Sequence, residues 1–380
     1  MPQEIVFEKL PAGYADSAAK PGEKVKVRLT DFVSTEDGDE LITKLEGFPQ
    51  QILSMLSVPS PVLPSMVHSL LAIIRADKTA TVYLNEAQTI GEMRVKGGVK
   101  KGELLTTNRV LDLGRIKFKD ITVPPEAGIA YVFSVGWRKG FFYDLAPLHA
   151  EHDARPYDIE EAIGSLFAYL LFQERFKIDD PTWKIFFDQK WFPFVHLDND
   201  LICEMIAHAK QGWHIDGLLP KIVNNVKRLL RDDPIDQKHI PAFVDHADIL
   251  RTGVERYLAD DHVSATSIMY PRIEGTLRSF LRVSSATATA PTAQTLSKVA
   301  VEHHQTSRIS NSLLLSTKFQ RYLNDVYFAH FAPGSSPDVG RHSVAHGEAR
   351  AADFTVKAAT IPFLLLYQLS LFFTDGKLRP

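Results

Sequence analysis

The spacing of apolar residues changes character once along this chain, near Asp158, and that change decides most of what the chain can fold into. Before it, short apolar runs alternate with Gly- and Pro-bearing turns, as strands and hairpins require. After it, β-branched alternation almost disappears. Apolar positions then recur three and four residues apart, as helices with one buried face require. The pattern predicts an α+β N-terminal domain followed by a mainly α-helical region. The 380 residues suffice for two or three domains with sizeable cores.

Within the first part, residues 40–56 and 64–76 have helical spacing, whereas 79–84, 109–113, 116–118 and 129–135 read as strands. Gly97-Gly98, Lys101-Gly102 and Pro124-Pro125 separate them as turn signals. Residues 136–148 continue the strand pattern until Pro147 breaks it. A mixed α+β domain with an antiparallel sheet is therefore expected over 1–148, a helical connecting region over 149–240, and a helical bundle over 241–380. Candidate helices are 158–176, 181–194, 198–211, 215–231, 239–258, 262–283, 292–303, 309–330, 340–346 and 354–374. Asp158 and Pro181 suit helix starts. The small, polar stretch 283–291 and the stretch 332–338 read as loops.

Charge and cysteine content exclude several classes of function. A formal charge of −3 gives no global attraction to nucleic acid or anionic membrane, so any RNA contact must come from a local patch. The single cysteine, Cys203, cannot form an intramolecular disulfide and fits a reducing compartment; its apolar-periodic surroundings mark it as core filler. The N-terminus carries no secretory pattern. The apolar run 361–373 is shorter than the roughly 20 residues a membrane span needs, and it carries Gln368, so it reads as a buried helix. A cytoplasmic protein without a membrane partner is expected. The aromatic run 183–194 is expected to pack between the mixed domain and the bundle. Residues 96–101 (KGGVKK) read as a solvated basic hairpin, since they lack the Walker spacing and its following Ser or Thr.

One segment has the residue types of a reactive centre: Arg341-His342-Ser-Val-Ala-His346-Gly347. On a helix, His342 and His346 share a face, and Arg341 lies about 140° from His346, within reach of a long side chain. Gly347 suits the position just past a helix end. A guanidinium binds phosphoryl oxygens as a fork, and imidazole moves protons near neutral pH, so the set suits phosphate chemistry. Two other accounts stay open. Fourteen histidines produce some close pairs by chance, and His-x3-His is also metal-ligand spacing. The metal account needs a third ligand; Asp338, Asp353 and His330 are near in sequence but without a recognisable spacing. Upstream, Glu274 and Arg278 stand four apart on a helix with Met269, Ile273 and Leu277 as its apolar stripe, which by itself is a surface ion pair.

The Arg341-to-Gly347 segment, followed by a long apolar helix, resembles the R-x4–6-H signature of the HEPN superfamily. His342 supplies the polar residue usual after the arginine. Tyr270-Pro-Arg-Ile-Glu274-Gly-Thr-Leu-Arg278 looks like the helix that precedes an R-H-x-x-x-H-G segment in uncharacterised bacterial proteins. The resemblance covers roughly residues 245–375. It implies a helical bundle that often dimerises, and a metal-independent endoribonuclease of the kind found in phage defence, stress response and RNA processing. No cofactor is implied. Carried onto this chain, His346 assists proton transfer at the 2′-hydroxyl or the leaving oxygen, and Arg341 stabilises the phosphorane-like transition state. His342 orients one of them or contacts phosphate, Glu274 positions Arg341, and Arg278 binds substrate. The alternative is a non-catalytic interaction or sensor protein that keeps the fold.

Overall fold

Six short strands rich in Val, Ile, Leu and Phe pair antiparallel into one sheet, and helices cover both of its faces. The structure is a computed structural model that describes residues 1–58, 60, 62–149, 154–233, 235, 240–284, 291–302, 311–329, 343–344 and 347–374. The chain divides into two compact units, one of Met1–Glu92 with Leu113–Leu171, the other of Met93–Asp112 with Phe172–Pro380.

The first unit contains β1 (Gln3–Val6), β2 (Tyr14–Ala15), β3 (Val27–Arg28), β4 (Thr30–Ser34), α1 (Asp39–Glu46), α2 (Phe48–Ser54), β5 (Ser69–Ile74) and β6 (Thr79–Leu84). The chain leaves this unit within β7 (Thr89–Val95) and returns to it within β8 (Val110–Phe118), since residues 93–112 count with the second; β9 (Gly128–Val135), β10 (Arg138–Asp144) and α3 (Ile159–Leu171) follow. The sheet order is β1-β6-β5-β9-β10-β4, and every pairing is antiparallel. Alternation places Leu70, Ala72, Ile74, Val132 and Phe141 in one core with Leu41 and Leu45 of α1 and Ile52 and Leu53 of α2. On the opposite face Phe133 stacks on Phe167 of α3, ring centroids 4.6 Å apart. Gly164 lets α3 close on β8, since a Cβ there would stand 2.6 Å from the Gly114 carbonyl oxygen. Asp144 and Arg155 form a buried ion pair at 2.8 Å, and Thr30 Oγ1 donates to the second carboxylate oxygen at 2.9 Å.

The helix expected over 64–76 is not formed. A 3₁₀ turn over Pro64–Met66 leads into β5, whose residues are buried at five of six positions between β6 and β9. A strand covered on both faces has no polar side, so its apolar run loses the alternation by which strands are recognised. The strands expected over 79–84 and 129–135 are present as β6 and β9.

The second unit is helical: α4 (Gln173–Phe176), α5 (Asp180–Asp188), α6 (Asn199–Lys210), α7 (Leu219–Asp232), α8 (Ala247–Leu258), α9 (His262–Ser284), α10 (Ala293–Val301), α11 (Ser316–Tyr322) and α12 (Val356–Phe373). A π-helical segment, Leu323–Tyr327, extends α11. The long α9 packs against α8, α10 and α12. α5 ends six residues before the expected boundary, because Lys190 adopts a left-handed backbone (φ +57°) and turns the chain away. The aromatic residues that follow make ring contacts with Phe319 and Tyr322 of this same unit.

α12 is long and apolar enough to cross a membrane by length and composition, yet 89% of it is buried by the surrounding helices. Its polar Gln368 is fully buried and satisfied, accepting from Val195 N–H and donating to the Leu314 carbonyl, both at 3.2 Å. Thr355 caps its first turn by accepting from Ala358 N–H. Cys203 is half-buried and forms no disulfide.

Candidate functional site

α9 carries two stripes of opposite character. Met269, Ile273, Leu277 and Leu281 are buried along one side. With Glu274 as origin, a helix of 3.6 residues per turn puts Arg278 at about 40°, Arg282 at about 80°, Ser279 at about 140° and Arg272 at about 160°. One arc of the helix therefore holds three arginines, a serine and a single carboxylate.

Specific bonds order this arc. Arg278 donates from Nε at 2.8 Å and from Nη2 at 2.6 Å to Glu274 Oε1. The Glu274 side chain is 13% exposed and that of Arg278 43%, so the guanidinium emerges from a mostly sheltered carboxylate. Arg282 Nη2 donates to Ser279 Oγ at 2.8 Å, and the same hydroxyl lies 3.2 Å from His246 Nε2. Ser279 has lone pairs for the guanidinium and a proton for the imidazole. His246 enters from the 3₁₀ turn Pro241–His246 that leads into α8, and its ring lies against Gly275, where a Cβ would stand 2.9 Å from Cε1. Burial pushes the His246 pKa below the ordinary imidazole value; Arg272 and Arg282 add to this, while a backbone hydrogen bond at Gly275 and the Asp245 carboxylate oppose it. A neutral imidazole beside two arginines is a proton acceptor in a cationic field.

The structure brings Glu274 and Arg278 together as their spacing requires. Arg341, His342 and His346 lie outside the described residues, as do loop 332–338, residues 285–290 of the other expected loop, and all of the expected helix 340–346 except Ser343 and Val344. His246, Arg272, Ser279 and Arg282 were not singled out from the sequence. The i, i+4, i+8 series Glu274-Arg278-Arg282 was a signal for the arginines. Nothing local marks His246, which joins the arc through tertiary packing.

A second polar cluster was also hidden. Lys96, expected to be solvated, donates from Nζ to the Leu197 carbonyl at 2.5 Å, and burial pushes its pKa down to about 7. Neighbouring His196 is 4% exposed, and burial, with Lys96 adding to it, pushes its pKa down to about 3. Arg175, 1% exposed, donates to Asn199 Oδ1 from Nε and Nη2, while its Nη1 has no partner among the described residues. Among the described residues no group of three or more His, Cys, Asp or Glu side chains is arranged to hold a metal ion.

No family model, curated protein or solved structure matches this chain.

Proposed function

We propose that this chain is a metal-independent endoribonuclease with a HEPN-like helical bundle, acting as a homodimer on RNA in defence or stress. The observation that carries this reading is the α9 arc. In a chain of net charge −3 it collects Arg272, Arg278 and Arg282 beside a neutral His246, against one carboxylate on the same helix, Glu274, and Asp245 near the imidazole. Such an arc is the local basic patch that RNA binding requires when the whole chain offers none.

In this reading the α9 arginines hold the phosphodiester backbone and the Arg341-to-His346 segment carries out the reaction. The 2′-hydroxyl oxygen attacks the adjacent phosphorus, and the P–O5′ bond breaks. His346 transfers the proton, Arg341 stabilises the equatorial oxygens as charge builds on them, and a 2′,3′-cyclic phosphate results. His342 contacts phosphate or orients its neighbours, and Glu274 is a positioning residue for the arginines. A second reading, a non-catalytic interaction protein, is favoured by the Glu274–Arg278 bond itself, which as an i, i+4 pair needs no substrate to explain it.

Incubating mixed RNA with the wild type, Arg341→Ala and His346→Ala in EDTA tests the proposal. Cleavage by the wild type alone, with cyclic-phosphate ends, is the expected result. Intact RNA in every reaction would reject the activity, and equal cleavage by all three proteins would reject the site.

A further inference from the structure

A cavity of about 420 Å³ opens in the helical unit beside the first turns of α12. Its size falls within the range of small-molecule sites, about 300–1,000 Å³. Ala358, Ile361 and Leu365, at helical spacing on α12, form an apolar floor. Tyr270 of α9 and Tyr327 of the π-helical segment form a wall, with ring planes 14° apart and the Tyr327 hydroxyl donating to the Tyr270 carbonyl at 2.8 Å. A π-turn shifts side chains out of α-helical register and recurs at functional sites. Here it brings half-buried Val326 to the cavity as well.

The rim is polar and has hydrogen-bonding capacity to spare. Asp216 Oδ1 accepts from Trp191 Nε1 and from Lys357 Nζ, both at 2.7 Å, and among the described residues Oδ2 accepts none. Asp353 Oδ2 accepts from Arg350 N–H at 2.7 Å, and Oδ1 is likewise unused among the described residues. Gln189 Oε1 accepts from Ile215 N–H at 2.8 Å, which leaves its amide Nε2 as a donor. Two carboxylate acceptors and an amide donor thus stand above an apolar floor. Lysines 190 and 357 face three carboxylates, Asp188, Asp216 and Asp353, so the lining is weakly acidic and disfavours a phosphate group inside the cavity.

We propose that this cavity binds a nucleoside, with the flat base on the aliphatic and tyrosine surfaces and the ribose hydroxyls or exocyclic amine donating to Asp216 and Asp353. The nucleoside is either free or one residue of a single-stranded RNA. The cavity chemistry stands by itself, whereas the RNA arm rests on the function proposed above.

Calorimetric titration of the full chain with adenosine, guanosine, cytidine and uridine tests it, with tryptophan fluorescence as a second readout, since buried Trp191 donates to the rim residue Asp216. At least one nucleoside is expected to bind with a Kd below about 1 mM, and its 5′-triphosphate at least tenfold more weakly. Val326→Trp, which fills the cavity from a half-buried position, is expected to weaken binding at least tenfold with unchanged circular dichroism. Asp353→Asn, whose single oxygen can stay with Arg350 N–H while an amide NH2 replaces the free acceptor and the charge is lost, is expected to narrow the gap between nucleoside and triphosphate. Displacement of a labelled single-stranded RNA by the bound nucleoside assigns the cavity to RNA; binding without displacement assigns it to the free nucleoside. No binding by any of the four, a triphosphate that binds as tightly as its nucleoside, or a folded Val326→Trp that binds normally would overturn the proposal. None of these outcomes depends on RNA cleavage.

Discussion

Lys96 Nζ donates to the carbonyl oxygen of Leu197, one residue beyond the buried His196, so two basic side chains share a poorly solvated part of the helical unit. Both titrate lower in the folded chain than their ordinary values of 10.5 and 6.5, Lys96 at about 7 and His196 at about 3. The unfolded chain therefore holds more protons in both windows, and stability rises with pH across each.

For His196 the stability is fully present above pH 6.5 and is lost as pH falls toward about 3. For Lys96 it grows as pH rises from about 7 toward 10.5. Each slope is at most about 1.4 kcal/mol per pH unit. Urea unfolding at a series of pH values checks both limbs. Lys96→Met is expected to flatten the alkaline limb and His196→Phe the acid limb. An alkaline limb unchanged in Lys96→Met would show that Lys96 stays charged in the folded chain.

Gln368 makes the second prediction. The change Gln368→Leu preserves most of the volume but strips partners from the Val195 N–H and the Leu314 carbonyl, both inside the core. Each buried group left unpaired costs about 1–3 kcal/mol. Gln368→Leu is therefore expected to lower the midpoint of denaturant unfolding at unchanged m-value. Leu369→Met, next to it and equally buried, is a volume-conserving control costing less than about 1.5 kcal/mol. Equal midpoints for the two variants would mean that Gln368 has no bridging role.

These cases mark where the sequence could be read and where it could not. The α9 stripe of Met269, Ile273 and Leu277 was legible because helical burial repeats with a local period. So was the Glu274–Arg278 pair, which depends only on residues four apart. β5 was misread because it is covered on both faces, which leaves its apolar run without the alternation that marks a strand. Gln368 was visible as a polar interruption, but its partners lie 54 and 173 positions away. Lys96 looked like a turn lysine, and only the fold could show that Leu197 covers it. His246 belongs to the same class, since its place beside Ser279 comes from tertiary packing alone.

The α9 arc makes a prediction separate from cleavage. If Arg278 and Arg282 each hold one phosphate, replacing either by Ala lowers the slope of log K against log salt for single-stranded RNA by about 0.7. Affinity should fall with little regard to sequence, because phosphate contacts carry none. Fluorescence anisotropy over a range of salt concentrations measures this. A slope the same as wild type in both variants would remove these arginines from the RNA interface.

Gly275 and His246 provide the last test, of how tightly the arc is assembled. In an exposed helix interior, Gly→Ala stabilises by about 1 kcal/mol through backbone entropy. At position 275 the new Cβ would stand 2.9 Å from His246 Cε1, and the ring cannot swing freely because Nε2 is engaged with Ser279 Oγ. Gly275→Ala is therefore expected to gain little or to destabilise. The same change made with His246→Ala should recover the propensity gain, a coupling on the order of 1 kcal/mol in a double-mutant cycle. Because Ser279 also accepts from Arg282, the displaced ring should disturb that arginine too. The salt slope for RNA is thus expected to fall in Gly275→Ala although no charge is removed. Additive stabilities in the cycle would mean that the ring moves aside at no cost, and that His246 does not hold the arc in place.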